Sequence, residues 1–323
     1  VLAWLLWPAS LAFRAAVFLR RALYRLRLLP SARVDVPVIV VGNLVVGGSG
    51  KTPLALWIAV HLLRAGWSPG IVSRGYGAAI DAPREVTLIS EASEVGDEPI
   101  LLARRSGCPV WVGPDRARVI HALREKHPDV DVVVLDDGLQ HYRLRRDVEI
   151  AVVDARGFGN GQLLPAGPLR EPVARLRTVG AVIAHGADKA RLAALAPGVP
   201  VFGMRLEGET LHRMTDARDR RPLKALAGRA VHAVAAIGNP NRFFLHLVRA
   251  GAKPRLHPFP DHHPLRAEDL DFGDILPVVM TEKDAVKLRG VAQPNWWVLP
   301  VQAAPDHGFG PWLLQQLGGA KNR

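Results

Sequence analysis

From Val38 the chain reads VIVVGNLVVGGSGKTPLALWIAVHLL. A β-branched apolar run passes through a glycine-rich turn into a segment whose apolar residues recur at helical spacing. One basic side chain, Lys51, stands at the junction. The apolar run needs burial on both faces, which calls for a parallel sheet under helices. The glycines let backbone N–H groups turn inward, and the following helix adds its positive end, so the loop suits phosphate. In that reading Gly47, Gly48, Ser49 and Gly50 cradle phosphate oxygens, Lys51 reaches the terminal phosphates, and the Thr52 hydroxyl ligates Mg²⁺. Pro53 fits a first helical turn, where no N–H partner is lost. The strict pattern G-x-x-x-x-G-K-[ST] is not met, because its first glycine would fall at Val45; Gly42 lies eight residues before Gly50, so a longer or differently turned loop is expected.

The same rhythm recurs along the 323 residues: VPVIVV, GIVS, VTLI, VWVG, DVVVLDD, EIAVVDA, AVIAHG, VHAVAAIG, PVVMT and WWVLPV are strand-like, with helical patterns between them. The expected fold class is therefore α/β: a mostly parallel sheet of the phosphate-loop NTPase type with helices on both faces, plus a smaller second α/β domain. Val201 to Asp216 alternates on either side of Glu207-Gly208 and reads as a β-hairpin or two-stranded ribbon. The expected organisation is an N-terminal helix over 1–30, a core domain over 31–203, a ribbon linker over 204–216 and a C-terminal domain over 217–323. No internal repeat or low-complexity segment stands out.

Location is written in the first 30 residues. The chain opens on Val1, so at least one residue is expected to precede it. The first charge is Arg14, so the uncharged run is shorter than the about 20 residues a spanning helix needs. A basic n-region and an A-x-A-like site are lacking, which argues against a secretory signal. Pro8 opens a helix and Pro30 closes it. Arg14, Arg21 and Arg25 fall within about 40° of one another at 100° per residue, while Leu11, Ala15, Leu19, Ala22, Leu23 and Leu26 fill a separate face. With Trp4 and Trp7 as headgroup-level aromatics, the segment reads as a helix lying in an anionic membrane interface.

The net charge of +12 invites nucleic acid, an anionic membrane or an anionic substrate. No aromatic-interleaved basic groove and no helix-turn-helix or zinc-finger spacing is present, so nucleic acid is not expected. A single cysteine, Cys108, allows no internal disulfide and sits in a strand-like run, which suits a structural thiol and a reducing compartment.

Further acidic and basic elements follow the loop. DVVVLDDGLQH places Asp136 and Asp137 at the end of an apolar strand, where a phosphate-bound Mg²⁺ needs partners. Gln140 and His141 come next. Asp97 and Glu98 in GDEP read equally as a general base or as an acidic helix start. FPDHH offers Asp261, His262 and His263, with no third ligand at zinc-like spacing. Arg116 in GPDR and Arg170 in PLREP are candidate phosphate contacts, since a guanidinium fork suits phosphate. Arg74 in SRGYG follows a strand and reads as facing an acceptor, while Asn239 and TEKD (Thr281 to Asp284) read as framing the nucleotide.

Taken in order, VVGNLVVGGSGKTP, SRGYG, GDEP, DDGLQHYRLRRD, LLPAGPLREP, GNP, FPDHH and TEKD closely resemble the tetraacyldisaccharide 4′-kinase (lipid A 4′-kinase) family over nearly the whole chain. The resemblance implies two α/β/α domains joined by a two-stranded linker. It implies transfer of the γ-phosphoryl group of ATP, with Mg²⁺, to the 4′-hydroxyl of tetraacyldisaccharide 1-phosphate, an anionic glycolipid. The product is lipid IVA, made at the cytoplasmic face of the bacterial inner membrane. Separately from the resemblance, a monomer is expected. The resemblance further implies that Asp136, Asp137 and Glu171 serve the metal, that Asp97 is the general base, and that His262, oriented by Asp261, works with it. A pair spanning two domains would require closure for turnover. Other readings of the loop are a carboxylate-activating synthetase, a metallochaperone NTPase or a membrane-bound NTP switch. A metallochaperone would show a Cys/His cluster, and a switch an N-K-x-D motif, of which TEKD is a poor version.

Overall fold

The computed structural model describes residues 5–288 and 290–319. Trp4 lies outside them. Helix α1 (Trp7–Arg25) has Pro8 in its first turn and ends before Pro30, with Arg27 at a positive φ of 60°. Then come β1 (Val38–Gly42), α2 (Lys51–Arg64), β2 (Pro69–Ser73), β3 (Arg84–Val86), α3 (Asp97–Ser106), β4 (Val110–Val112), α4 (Arg116–Lys126), β5 (Val132–Asp136), β6 (Val148–Asp154), β7 (Ala181–His185), α5 (Lys189–Leu195) and β8 (Val201–Glu207). A second sheet is built from β9 (Thr210–Arg213), β10 (Arg220–Pro222), β11 (Ala230–Ala235), α6 (Pro240–Arg249), β12 (Lys253–Pro258), β13 (Val278–Thr281), α7 (Glu282–Ala285) and β14 (Trp296–Leu299). The chain closes with β15 (Gln302–Pro305) and α8 (Phe309–Gln316).

The first sheet has nine strands in the order β15-β8-β7-β6-β1-β5-β2-β4-β3, parallel except where β3 and β15 join antiparallel at the two edges. Strand β1 is central, and its side chains alternate between two cores. Val38 and Val40 pack with Val119, Ile120 and Leu123 of α4. Ile39 and Val41 pack with Leu54, Ile58 and Leu62 of α2 and with Phe309 and Leu313 of α8. This is the doubly covered parallel sheet that continuous apolar runs require. The sheet order changes direction about β1, which has β5 on one side and β6 on the other, so a crevice opens beyond its carboxyl end.

The smaller sheet has six strands in the order β10-β9-β14-β13-β11-β12. Phe243, Phe244 and Leu247 of α6 cover one face, and Leu265, Leu270 and Leu288 cover the other.

Two departures concern the link between the sheets. Val201 to Asp216 is not a hairpin on itself: β8 pairs with β7 and β15, whereas β9 pairs with β10 and β14. The two-stranded connection exists, but its second strand is the returning chain, with Gln302 opposite Glu207 and Trp297 opposite Arg213. Gly208 is needed at the crossing, because a Cβ there would lie 2.6 Å from the Pro300 carbonyl oxygen. The second departure follows. Residues 217–323 are not one unit, since β15 and α8 rejoin the first sheet, where Phe309 is fully buried against Trp57, Phe202 and Trp312 at centroid distances of 5.5, 5.4 and 5.8 Å. Removing that ring leaves a cavity in the first domain's core. Phe309→Ala is expected to lower stability by about 3–5 kcal/mol in urea melts, with the loss falling on the first domain although the residue lies near the C-terminus.

Candidate active site

The loop between β1 and α2 is shaped by two left-handed glycines, Gly47 at φ 91° and Gly50 at φ 93°. Gly50 cannot carry a side chain, because a Cβ would meet the His185 ring at 2.6 Å. The long spacing before it has a structural cause. Loop residues 44–46 lie against residues 168–170: the Val46 N–H donates to the Pro168 carbonyl at 2.9 Å, and the Arg170 N–H donates to the Leu44 carbonyl at 2.7 Å. Val45 also bridges to Leu169. The extra residues thus form a strap that draws Arg170 and Glu171 toward the end of β5.

Lys51 opens α2 and donates from Nζ to Asn43 Oδ1 at 3.2 Å, with Asp137 Oδ1 at 3.4 Å. The Thr52 hydroxyl donates to Asp136 Oδ2 at 2.9 Å. Asp136 is buried, and its Oδ1 has no hydrogen-bond partner. Burial, with the negative charges of Glu98 and Asp137 beside it, holds its carboxyl well above the usual carboxylate range. Asp137 adopts a positive φ of 54°. Burial would raise its carboxyl too, but Lys51 and Arg170 outweigh that and hold it low. Arg170 NH1 donates to both Asp137 oxygens at 3.0 Å, so this guanidinium is engaged by a carboxylate rather than turned outward.

Glu171 stands one step back. Its carboxylate accepts from the Tyr142 hydroxyl and from Gln140 Nε2 at 3.5 Å, with Arg175 Nε at 3.6 Å. Gln140 also donates to the Asn43 carbonyl at 3.0 Å and accepts from Arg170 at 3.4 Å, so Glu171 reaches Asp137 through intermediaries. Arg116 is buried and donates to the Gly113 carbonyl. Burial and the neighbouring Arg74 lower its guanidinium to about 10, while Asp137, Asp115 and Asp136 oppose the shift. His141, lowered to about 4 by burial and by Arg116, has an unpartnered buried Nε2.

Asp97 and His262 meet across the two domains. Asp97 opens α3 beneath Gly96, and His262 lies in a loop after β12 at a positive φ of 62°. His262 Nδ1 is 3.1 Å from Asp97 Oδ1, which also accepts the Glu98 N–H at 2.9 Å. Asp97 is 5% exposed, and its Oδ2 has no hydrogen-bond partner. Burial would raise the Asp97 carboxyl, but the hydrogen bond from His262 and the charges of Lys283 and Lys287 hold it below its ordinary value. The His262 imidazole is lowered by burial and raised more by Asp97, with a net upward shift. Asp261 does not orient His262 as expected: its Oδ1 lies 3.8 Å from His262 Nε2 and accepts instead from Lys283 at 3.3 Å. His263 stacks on Phe259 and faces Asp269.

A cleft of about 460 Å³ opens over the loop, walled by Gly48, Lys51 and Thr52 from the first domain and by Asn239, Phe243 and Lys283 from the second. Sequence reasoning missed how TEKD divides its work. Glu282 pairs with Arg105 at 2.9 Å, and fully buried Asp284 accepts the Ala236 N–H at 3.1 Å, while Lys283 enters the Asp97–His262 cluster. It also gave no role to Tyr142 and Asn43, although both lie inside recognised motifs, DDGLQHYRLRRD and VVGNLVVGGSGKTP.

The profile of the family described as Tetraacyldisaccharide-1-P 4'-kinase matches residues 2–318. The chain belongs to the tetraacyldisaccharide 4′-kinase family. A Tetraacyldisaccharide 4'-kinase of Aromatoleum aromaticum is 50% identical over 313 residues, covering 97% of this chain and 93% of that one. One from Pseudomonas putida is 46% identical over 97% of this chain and 92% of its own. A crystal structure of LpxK from Aquifex aeolicus in complex with ATP superposes with a TM-score of 0.81 at 29% identity, covering 98% of this chain and 99% of that one. Membership in the tetraacyldisaccharide 4′-kinase family makes this chain a phosphotransferase of lipid A biosynthesis with ATP as donor, and its phosphate-loop α/β fold agrees with that.

Proposed function

We propose that this chain moves the γ-phosphoryl group of ATP to the 4′-hydroxyl of tetraacyldisaccharide 1-phosphate to give lipid IVA, using Asp97 as general base. One observation carries the reading: a carboxylate–imidazole pair, Asp97–His262, closed between the domains, whose neighbours Glu98 and Lys283 line the cleft over the phosphate-binding loop. Asp97 Oδ1 is occupied by His262 and the Glu98 N–H; Oδ2 is buried, makes no hydrogen bond and faces Lys283 and Lys287 at 3.9 and 3.7 Å, and it is the oxygen assigned to take the hydroxyl proton once the acceptor enters. As that proton transfers, the sugar oxygen bonds to the γ-phosphorus, the bond to the β–γ bridging oxygen breaks, and ADP departs with the electron pair. The His262 Nδ1–H holds the carboxylate in place throughout. Loop amides and Lys51 bind the triphosphate.

The residues fit Mg²⁺. Asp136 Oδ1 is a buried, unpartnered acceptor next to the Thr52 hydroxyl. Among the described residues no three His, Cys, Asp or Glu side chains form a cage, which suits an ion that takes one or two carboxylates plus phosphates and water. Thr52 and Asp136 would hold it, with Asp137, Arg170 and Glu171 fixing the surroundings. When bound, the ion supplies charge neutralisation at the phosphates.

The acceptor arrives from a membrane, and α1 supplies the contact. Among the described residues no helix is long and apolar enough to cross a bilayer. One side of α1 packs on the first domain through Phe13, Val17 and buried Ser10, whose hydroxyl donates to the Leu163 carbonyl at 2.8 Å. The other side leaves Phe18 at 75% and Leu19 at 59% exposure beside Arg14 and Arg25. That face suits the cytoplasmic leaflet of an anionic inner membrane. Phe18→Asp with Leu19→Asp is expected to weaken binding to vesicles containing anionic lipid by about 100-fold in sedimentation assays, from the lost apolar burial. Undiminished binding would remove α1 as the anchor.

The reaction itself is tested by ³²P transfer from ATP to tetraacyldisaccharide 1-phosphate in detergent micelles. Labelled lipid carrying phosphate at the 4′ position is expected. Release of inorganic phosphate alone, with no labelled lipid, would overturn the kinase reading.

A further inference from the structure

The Lys283 side chain is not needed to explain phosphate binding, yet it is 15% exposed at the centre of the interdomain cluster. Its backbone is fixed from behind. Thr281 caps α7 by accepting the Asp284 N–H at 3.2 Å. Asp284 accepts from the Thr281 hydroxyl at 2.6 Å and from Lys287 Nζ at 2.9 Å. The turn is thereby pinned to the end of β11, and Lys283 projects toward α3 of the other domain.

There its Nζ lies 3.1 Å from Glu98 Oε1, 3.3 Å from Asp261 Oδ1, 3.3 Å from His262 Nε2 and 3.9 Å from Asp97 Oδ2. An ammonium has three protons and no lone pair. Glu98 belongs to the first domain, Asp261 and His262 to the second, and together they use all three. The contact with His262 has a further consequence: Nε2 must be the lone-pair nitrogen, so the ring proton sits on Nδ1, facing Asp97.

We propose that Lys283 is the positioning residue of the Asp97–His262 pair, holding His262 as its Nδ1–H tautomer and latching the two domains while the acceptor hydroxyl is deprotonated. This rests on Asp97 being the base. The groups facing the pair are Asp97 and Glu98 from α3, Asp261 from the His262 loop, Lys283 and Lys287 from the α7 segment, and the Tyr76 ring, whose centroid is 4.7 Å from that of His262. Of these, Lys283 is the cation next to both members. It disfavours proton uptake by either one, so its charge keeps the base ready at lower pH.

The test compares Lys283→Met and Lys283→Arg with the parent enzyme. Turnover of tetraacyldisaccharide 1-phosphate is measured across pH, and the full chain is labelled with ¹⁵N-histidine, His262 being assigned by the signals lost in His262→Gln. Lys283→Met is expected to lower kcat by about 30–100-fold with KM for ATP within about twofold, and to move the acid limb of kcat/KM up by about one pH unit. In the spectrum, the His262 Nδ1–H signature gives way to a mixture of tautomers. Lys283→Arg keeps the charge and is expected to return the acid limb to its parent position. If Lys283→Met does not melt cooperatively, Lys283→Leu, which neither donates nor carries charge, carries the same measurements. An unmoved acid limb, or an unchanged His262 tautomer in the uncharged variant, overturns the proposal. Asp97→Asn run alongside separates the two readings: normal turnover there removes the base itself, whereas a dead Asp97→Asn with missing Lys283 signatures removes this inference alone.

Discussion

Asp97→Asn is expected to cut kcat by about 10³-fold, within the range that loss of a general base costs, while nucleotide affinity stays within about twofold. The asparagine side chain can still meet His262 and the Glu98 N–H through its carbonyl oxygen, so the local geometry survives. What it loses is a carboxylate able to take a proton at Oδ2, the atom that has no hydrogen-bond partner. Steady-state ³²P transfer gives the rate, and titration with a fluorescent ATP analogue gives the affinity. A loss smaller than about tenfold in kcat would show that the sugar hydroxyl is deprotonated elsewhere.

Lys51→Met should fail in the opposite manner. Lys51 opens α2 between Asn43 and Asp137, at the positive end of a helix that follows the glycine-rich loop. Removing its charge takes a cation from the triphosphate in both ground and transition states. The expected fall in kcat/KM for ATP is about 10²–10³-fold, and here the fluorescent analogue should bind measurably more weakly. The contrast between the two variants is the useful result: one separates chemistry from nucleotide binding, the other does not. If Lys51→Met binds the analogue as tightly as the parent enzyme, the loop does not hold the triphosphate.

The two sites differed in how far they could be read from sequence. Lys51, Thr52, Asp136 and Asp137 were legible because strand, loop and carboxylate lie in short local patterns, and neighbouring parallel strands bring their ends together. The Asp97–His262 contact spans 165 positions, and no local pattern encodes it; GDEP alone reads equally well as a helix start. Family resemblance supplied that pair, but not the cation beside it. Lys283 read, with the rest of TEKD and Asn239, as part of a nucleotide frame, and its contacts depend on how two domains dock. The same holds for Glu171. The family resemblance implied a metal ligand there, whereas Tyr142, Gln140 and Arg175 face its oxygens. In the fold, the alternating apolar runs gave the layers, but the partner of β8 was hidden. Antiparallel pairing between Gln302–Pro305 and Met204–Glu207 is set by tertiary geometry over about a hundred residues, not by a turn between them.

The returning chain has one more implication. Because the smaller domain is inserted between β8 and β15, it leaves the larger one by one strand and comes back by its antiparallel neighbour. Two adjacent extended segments form a flat ribbon that bends more readily out of its own plane than sideways within it. A hinge at that double pin is the motion such a connection favours, and an arc about it would part or reunite Asp97 with His262.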